Sequence, residues 1–242
     1  MIYLRSILFN GAFYLWSVFI NLLWIPSLAL PRGATELGQT YWARGINVLL
    51  RLVAGIRVEI RGQENVPQGP VLMAAKHQSA WDTMIFHVIT HHPAIVMKKE
   101  LLALPIYGWY CRKTKMVPID REQGVKSLRD MIAAAKGAAK DGRPIIIFPQ
   151  GTRIAPGVSA PYLPGVAALY GQLGLPCVPI ALNSGLFWKH RSFLKSPGTI
   201  VFEYLPPIPA GLKRREFMAV LEERIETATG RLVAEGRGAD PD

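Results

Sequence analysis

The longest apolar stretch of the chain lies at its N-terminus. Residues 6–31 contain no charged side chain, and residues 7–30 are dense in Leu, Ile, Phe and Trp. A helix over this stretch would be ~39 Å long, which exceeds the ~30 Å hydrocarbon core of a bilayer. Trp16, Trp24 and Pro26 argue against a cleaved signal peptide, whose apolar region is shorter and ends at small residues. The pattern therefore predicts a hydrophobic anchor that spans the membrane or re-enters it.

A second helical pattern with an apolar stripe follows this anchor. An apolar stripe flanked by basic residues is typical of a helix that lies in the membrane interface, although a core helix shows the same stripe. We predict that residues 1–56 form an N-terminal unit of membrane-anchoring helices. The stripe consists of Trp42, Ile46, Leu49, Leu50 and Val53, whereas Arg44, Asn47 and Arg51 share another face.

Beyond Arg57 the pattern alternates between short apolar runs and amphipathic helices. Alternation of this kind predicts an α/β fold whose central, mostly parallel or mixed sheet is flanked by helices. The charged residues of the first run share one side, which predicts a short or edge strand. We expect this domain to cover residues 57–235 and the polar residues 236–242 to be a disordered tail. The expected strands are 57–61, 71–75, 94–97, 116–119, 145–148, 177–182 and 199–204, and the expected helices are 80–90, 122–140, 165–173 and 213–233.

The positive charge of the chain indicates that its partners are negatively charged. There are 28 Lys and Arg against 17 Asp and Glu, which gives a net charge of +11. No nucleic-acid-binding motif accompanies this charge, so we expect no nucleic acid partner. Anionic lipid headgroups and phosphorylated substrates fit the charge and agree with the anchor. Only Arg5 precedes the apolar stretch while several basic residues follow it, which predicts that the bulk of the chain is cytoplasmic. Two cysteines, Cys111 and Cys177, are too few for a disulfide framework. We expect both to be buried reduced thiols, because each lies in an apolar stretch of the sequence.

One candidate for catalysis is a histidine followed five residues later by a carboxylate. His77 and Asp82 come directly after the apolar run 70–75. Residues five apart diverge on a continuous helix, so the two side chains can meet only if His77 lies in a loop and Asp82 begins the next helix. Ser79 fits as the N-cap of that helix with Asp82 completing a capping box, and a simple cap is the alternative interpretation. An Asp bound to one imidazole nitrogen leaves the other free to accept a proton, which predicts a general base with its orienting carboxylate.

The second candidate is the sequence Phe148-Pro149-Gln150-Gly151-Thr152-Arg153, at the end of a predicted strand. A Gly-Thr turn after a strand presents backbone N–H groups and a hydroxyl, and arginine adds a planar bidentate donor. This combination suits a phosphate group, although a plain surface turn has the same composition.

Together the two motifs resemble the glycerolipid acyltransferase family, in particular the bacterial 1-acylglycerol-3-phosphate acyltransferases. The resemblance covers roughly residues 57–205, in the order of the family's motifs. Two positions depart from it, since Lys76 stands where many members have Asn, and Gln150 stands where the third motif usually has Glu. The intermediate features are the basic segment 98–101, a second motif at 105–109 and 117–121, and the apolar block 178–180.

The resemblance implies an activity. Members move a fatty acyl group from coenzyme A or acyl carrier protein to a lipid hydroxyl, here the sn-2 hydroxyl of 1-acyl-glycerol-3-phosphate, and make phosphatidate. No covalent enzyme intermediate is needed, because the thioester is already activated. His77 is then the general base, Asp82 orients it, and Ser79 is a cap and not a nucleophile.

The same resemblance implies which residues bind the acceptor. Arg153 and Lys98 would hold the acceptor phosphate, with Gly151 and Thr152 shaping the loop. We expect no cofactor beyond the acyl-CoA or acyl carrier protein co-substrate, membrane lipids as partners, and a location at a bacterial inner membrane. The residues expected to position the loop or the acceptor are Asp120, Arg121 and Gln150.

Other functions remain open from the sequence. Another lysolipid could be the acceptor, or the protein could be a membrane-anchored hydrolase of lipid esters or thioesters in which His77 activates water. No Gly-x-Ser-x-Gly elbow is present, which argues against a serine hydrolase. A lipid-binding module without enzyme activity is a third possibility. His87 and His91 lie four apart on a predicted helix but lack a third ligand at suitable spacing, so we expect no metal site.

Overall fold

The centre of the fold is a seven-stranded sheet, seen in a computed structural model that describes residues 1–120 and 123–238. The strand order is β1-β7-β6-β2-β5-β3-β4, and every neighbouring pair is parallel except β6 and β7. The prediction of a mostly parallel or mixed sheet is confirmed, and β1 is an edge strand. The strands are β1 (Ile56–Arg61), β2 (Leu72–Ala75), β3 (Ala94–Lys98), β4 (Val117–Ile119), β5 (Ile145–Ile147), β6 (Cys177–Leu182) and β7 (Gly198–Tyr204).

Helices cover both faces of the sheet, and their bounds differ from the prediction in three places. The predicted helix 80–90 is interrupted at Ile85, and the helix that begins at Tyr107 was not expected from the sequence. The last helix continues to Gly238, so the first three residues of the predicted disordered tail are helical, and 239–242 lie outside the described residues. The helices are α1 (Ile2–Leu23), α2 (Arg32–Leu49), α3 (Trp81–Met84), α4 (Phe86–Ile89), α5 (Tyr107–Lys113), α6 (Gly124–Lys140), α7 (Gly165–Leu173) and α8 (Arg214–Gly238).

Alternate side chains of the buried strands enter two separate hydrophobic cores. In β2, Leu72 and Ala74 pack with residues of α6, α7 and α8. Met73 and Ala75 pack on the other face, with residues of α1, α2 and the α3–α5 segment. This period-two alternation is the reason that one short apolar run can hold together a helix–sheet–helix sandwich.

The N-terminal helices pack against the sheet and do not form a separate layer. Phe9 of α1 and Ile46 of α2 are fully buried in the same core as the strand residues. The apolar stripe predicted to face a membrane interface therefore faces the protein, which corrects that interpretation. Asn47, expected on the polar face, accepts a hydrogen bond from the Trp81 indole at 2.9 Å.

The outer face of α1 is nevertheless apolar. Within the described residues, α1 is the one helix long and apolar enough to cross a membrane by length and composition. Two of its exposed side chains, Leu15 and Tyr14, are 75% and 66% accessible. An exposed apolar face of this kind is typical of a surface that meets a membrane or another protein.

A single glycine joins the N-terminal helices to the sheet. A π-helical turn, Leu50–Ala54, extends α2, and β1 begins at Ile56. Gly55 between them has φ 74°, a left-handed conformation that favours glycine. Its carbonyl accepts a hydrogen bond from the Gly198 amide at 3.1 Å, which fixes the junction to the start of β7.

Candidate active site

The predicted site residues gather at one edge of the sheet. His77 follows β2, Arg153 follows β5, Lys98 ends β3 and Asp120 follows β4. These four strands run parallel, so their carboxyl ends meet at the same edge. The order of elements therefore brings together residues that are up to 76 positions apart in the sequence (77 to 153).

His77 and Asp82 are in direct contact. The distance from His77 Nδ1 to Asp82 Oδ2 is 2.9 Å, with His77 in the loop after β2 and Asp82 in the first turn of α3. The Asp82 side chain is fully buried, whereas the imidazole keeps 11% of its surface exposed. The geometry expected from their five-residue spacing is present.

Asp82 receives five hydrogen bonds, and these determine the tautomer of His77. Its Oδ2 accepts from the Gln78 and Ser79 amides at 2.6 and 2.8 Å, and its Oδ1 accepts from the Ser79 and Ser184 hydroxyls. A carboxylate so surrounded is an acceptor, so Nδ1 of His77 must donate the fifth bond. Nε2 then carries the lone pair, as a proton acceptor requires.

The helix cap differs from the predicted capping box. Asp82 reaches back to the Ser79 amide as expected, but the Ser79 hydroxyl bonds to the Asp82 carboxylate and not to a helix amide. The N-cap position is Ala80, which has no side-chain acceptor. Ser79 therefore supports the carboxylate and does not cap the helix.

The predicted phosphate loop is joined to His77. The ring of Phe148 stacks on the imidazole with centroids 4.2 Å apart. The carbonyl of His77 accepts a hydrogen bond from the Ile154 amide at 2.8 Å. These two contacts hold both ends of the segment 148–154 against the histidine.

Gln150 lies outside the cavity described below and contacts the chain beyond the loop 151–153. Its side chain is buried and does not line the cavity described below. Its Nε2 donates to the Ala160 carbonyl at 3.5 Å, while Oε1 is buried and accepts no hydrogen bond. The one side-chain hydrogen bond seen for Gln150 is therefore donated, and its role in positioning the loop stays a prediction.

A cavity of about 1070 Å³ opens beside His77. Its inner wall is apolar and extends to Ile20 of α1, to Trp24 directly after this helix, and to Gly38 and Trp42 of α2. A Cβ atom on Gly38 would lie 2.1 Å from the Trp24 ring, so the two helices approach closely at this wall. The N-terminal helices thus complete an apolar compartment that leads to the histidine.

The rim of this cavity carries the predicted binding residues. Lys98, Arg153, Gly151 and Thr152 line it, and Lys98 and Arg153 are exposed at its mouth. Asp120 also lines the cavity and lies 3.4 Å from the ammonium of Lys99. Arg121 lies outside the described residues. The geometry places the others where a bound phosphate could reach them, and their roles remain predictions.

His87 also contributes to the cavity wall. It faces the interior of the compartment, where desolvation lowers its pKa to about 4. The imidazole is therefore neutral at physiological pH. The described residues contain no cluster of three or more His, Cys, Asp or Glu side chains that could hold a metal ion.

Two supporting interactions could not be found from the sequence pattern. Ser184, which bonds to Asp82, is 102 residues away and follows β6 in a short polar run. Lys76, the departure noted beside His77, is buried and contacts both oxygens of Glu226 at 2.7 Å. This ion pair joins α8 to the loop that carries His77, and Tyr162 donates to the same carboxylate at 2.8 Å.

The chain is similar to proteins named as acyltransferases. Residues 57–183 match the family described as Acyltransferase. The 1-acyl-sn-glycerol-3-phosphate acyltransferase of Pseudomonas aeruginosa is 37% identical over 194 residues, which cover 80% of this chain and 76% of the relative. The alpha form of the enzyme from Ovis aries is 28% identical over 240 residues, 95% of this chain and 82% of the relative.

The fold has a close counterpart among solved structures. The crystal structure of the 1-acyl-sn-glycerophosphate (LPA) acyltransferase from Thermotoga maritima superposes with a TM-score of 0.79 and 20% identity, covering 100% of both chains. The match extends through the N-terminal helices as well as the sheet. The match to the family over residues 57–183 and the 37% identity to the Pseudomonas enzyme show that the chain belongs to the acyltransferase family.

Proposed function

We propose that this protein transfers a fatty acyl group from an acyl thioester to the sn-2 hydroxyl of 1-acyl-glycerol-3-phosphate and makes phosphatidate. The observation that carries this proposal is the His77–Asp82 pair at the junction of an apolar compartment and a cationic rim. A lysophosphatidate has the matching three parts, namely an acyl chain, a hydroxyl and a phosphate. The names of the relatives point to the same reaction.

His77 is the general base of the proposed reaction. Nε2 takes the proton of the acceptor hydroxyl as its oxygen attacks the thioester carbonyl, and the buried carboxylate of Asp82 stabilises the imidazolium. The carbon–sulfur bond then breaks, and the departing sulfur takes the proton from His77. The products are an ester and a free thiol, with no covalent bond to the protein at any stage.

The acceptor is held at both ends in this proposal. Arg153 and Lys98 bind the phosphate through charge-assisted hydrogen bonds at the rim. The apolar wall around Trp24 and Trp42 receives acyl chain. No cofactor is required beyond the acyl-CoA or acyl carrier protein co-substrate, because the thioester supplies the activated acyl group.

The exposed apolar face of α1 seats the protein in the membrane that contains its lipid substrate. Leu4, Leu8 and Leu15 of this face would lie among acyl chains. The excess of basic residues after α1 supports a cytoplasmic position for the catalytic domain in this proposal. Arg44 and Arg51 are exposed, and anionic headgroups would meet them there.

A transfer assay tests the proposal. Full-length protein in detergent micelles is given labelled acyl-CoA or acyl carrier protein, with 1-acyl-glycerol-3-phosphate, another lysophospholipid or water as the acceptor. We expect labelled phosphatidate as the main product, and His77→Ala should lower kcat by ~10²–10⁴-fold. Free fatty acid as the main product would identify a hydrolase, and no product with any acceptor would favour a binding module.

His91→Ala is the matched control. His91 is exposed and precedes β3, at the opposite edge of the sheet from His77. Its removal should leave kcat within about twofold, since this residue is remote from the reacting groups. Equal losses in the two variants would show that the effect of His77→Ala is not catalytic.

A further inference from the structure

The loop between β6 and β7, residues 183–197, brings two more nitrogen-bearing side chains to the cavity. His190 and Arg191 line its mouth together with His77 and Arg153. Both residues lie beyond residue 183, where the match to the family ends. Neither the motifs nor the comparisons give these two residues a role.

A buried lysine gives the β6–β7 loop a defined shape. Lys195 is 2% exposed, and its ammonium donates hydrogen bonds to the Ser192 and Phe193 carbonyls at 3.1 and 3.0 Å. The same ammonium lies 5.2 Å from the centre of the Trp188 ring. The buried ammonium of Lys195 therefore contacts the loop on both sides of its exposed residues 189–191. These contacts fix the shape of the loop.

Helix α1 holds the outside of this loop. Trp188 meets the ring of Phe9 edge-on at 5.4 Å, and Asn10 donates to the Phe193 carbonyl at 2.9 Å. Phe9 is fully buried at this contact. The position of the loop at the cavity mouth is thus set by the helix that also forms the cavity wall.

Arg191 is held in an unfavourable backbone conformation. Its φ is 57°, in the left-handed region that non-glycine residues rarely occupy. Such a conformation persists when the surrounding contacts determine it, and it is concentrated at functional sites. The fixed loop thus gives this arginine a defined place at the rim.

The electrostatic surroundings of Arg153 and Arg191 favour an anion at the rim. Among the residues that the structure describes, no carboxylate lies within ion-pair distance of Arg153 or Arg191. Desolvation and the positive charges of these two arginines lower the pKa of His190. An anion bound among them would relieve this repulsion, and the planar guanidinium is suited to bidentate binding of phosphate.

We infer that Arg191, with His190 beside it, is a second phosphate-binding residue that acts together with Arg153 during acyl transfer. This inference rests on the proposed function, because it identifies the group that these side chains bind. The ligand is a substrate phosphate group, either the phosphomonoester of the acceptor or a phosphate of the acyl donor. The two sources share their chemistry and are separated by the kinetics below.

Initial rates of Arg191→Gln, with the two substrates varied separately at fixed micelle composition, test the inference. Loss of a charge-assisted contact should raise KM for one substrate about tenfold to hundredfold, and Arg191→Lys should recover part of it. A rise for the acyl acceptor identifies its phosphate, whereas a rise for the thioester identifies the donor phosphate. If Arg191 binds the acceptor phosphate, KM for an acceptor that lacks phosphate should be the same with and without Arg191→Gln.

Lys189→Gln is the matched control, because it removes one positive charge from the same loop. Lys189 is exposed and does not line the cavity. The KM values of the Lys189→Gln variant for both substrates should stay within about twofold of those of the unsubstituted protein. Equal rises for Lys189→Gln and Arg191→Gln would mean that general charge attraction is responsible, and this would overturn the inference.

Two other outcomes decide the matter. If both KM values stay within twofold in Arg191→Gln, Arg191 binds no substrate phosphate and the inference is wrong. If the unsubstituted protein forms no phosphatidate, the proposed function itself has failed, which the same assay reveals independently. In the case of a shared acceptor phosphate, Arg153→Gln and Arg191→Gln should be non-additive in the double variant.

Discussion

Asp82 offers a test that separates catalysis from folding. In Asp82→Asn, the remaining oxygen can take the place of Oδ2 and keep its three donors, the His77 ring and the Gln78 and Ser79 amides. The new amide group then replaces Oδ1, where the Ser79 and Ser184 hydroxyls can rotate and accept. We therefore expect this variant to fold, with the orientation of His77 preserved.

What Asp82→Asn loses is the negative charge. A unit charge ~4 Å from a developing imidazolium is worth ~4 kcal/mol at an effective dielectric constant of about 20. The proton is only partly transferred in the transition state, so the expected fall in kcat is about 10²–10³-fold. Asp82→Ala instead leaves the buried donors without an acceptor and should cost ~3–5 kcal/mol of unfolding free energy.

The measurements are kcat at saturating substrates and chemical denaturation in detergent for both variants. The reasoning requires a stable but slow Asp82→Asn and an unstable Asp82→Ala. A kcat within threefold of normal in Asp82→Asn would show that the carboxylate serves only to hold the loop. Equal destabilisation of both variants would show that the hydroxyls cannot reorient as described.

Two further predictions concern buried polar side chains. Gln150→Glu places a buried carboxylate where Oε1 has no hydrogen-bond donor, so this variant should lose ~1–3 kcal/mol of unfolding free energy. Chemical denaturation should show a smaller loss for Gln150→Met, and the reverse order would contradict the prediction. Burial lowers the pKa of Lys195 to about 8, whereas a lysine in the unfolded chain has a pKa of about 10.4. Between these two pH values the unfolded chain binds more protons than the folded one. The contribution of Lys195 to stability should therefore rise with pH through that window. Thermal unfolding should show the stability of the protein relative to Lys195→Met increasing from pH 7.5 to pH 10, and a pH-independent difference would refute the burial of this charge.

The sequence was most informative where the signal is local. His77 and Asp82 meet because a strand, a loop and a helix turn are consecutive, and each leaves a pattern in a few residues. The partners Ser184 and Glu226 lie 102 and 150 positions from the groups that they contact, and nothing in a single sequence links them. Contacts of this kind depend on the strand order, which the alternation of strands and helices does not specify.

The apolar stripe of α2 shows a second reason for error. A helix that packs on a sheet and a helix that lies on a membrane bury the same kind of stripe, so periodicity alone cannot tell them apart. In this protein Ile46 and Leu50 are fully buried in the core, whereas Val48 and Leu52 are exposed on the outside. Both faces of the helix carry apolar residues, and only the packing shows which face meets the sheet.

The junction at Gly55 bears on how this enzyme encounters its substrate. One residue separates the helical segment from β1, and it is hydrogen-bonded to the start of β7. The catalytic domain therefore has no flexible linker about which it could rotate relative to the N-terminal helices. In the proposed membrane arrangement, the cavity mouth is kept at one depth and one tilt relative to the leaflet. The enzyme would then search by lateral diffusion in two dimensions within its own bilayer. It could not reach across to lipids in an apposed membrane, as a domain on a long flexible tether could.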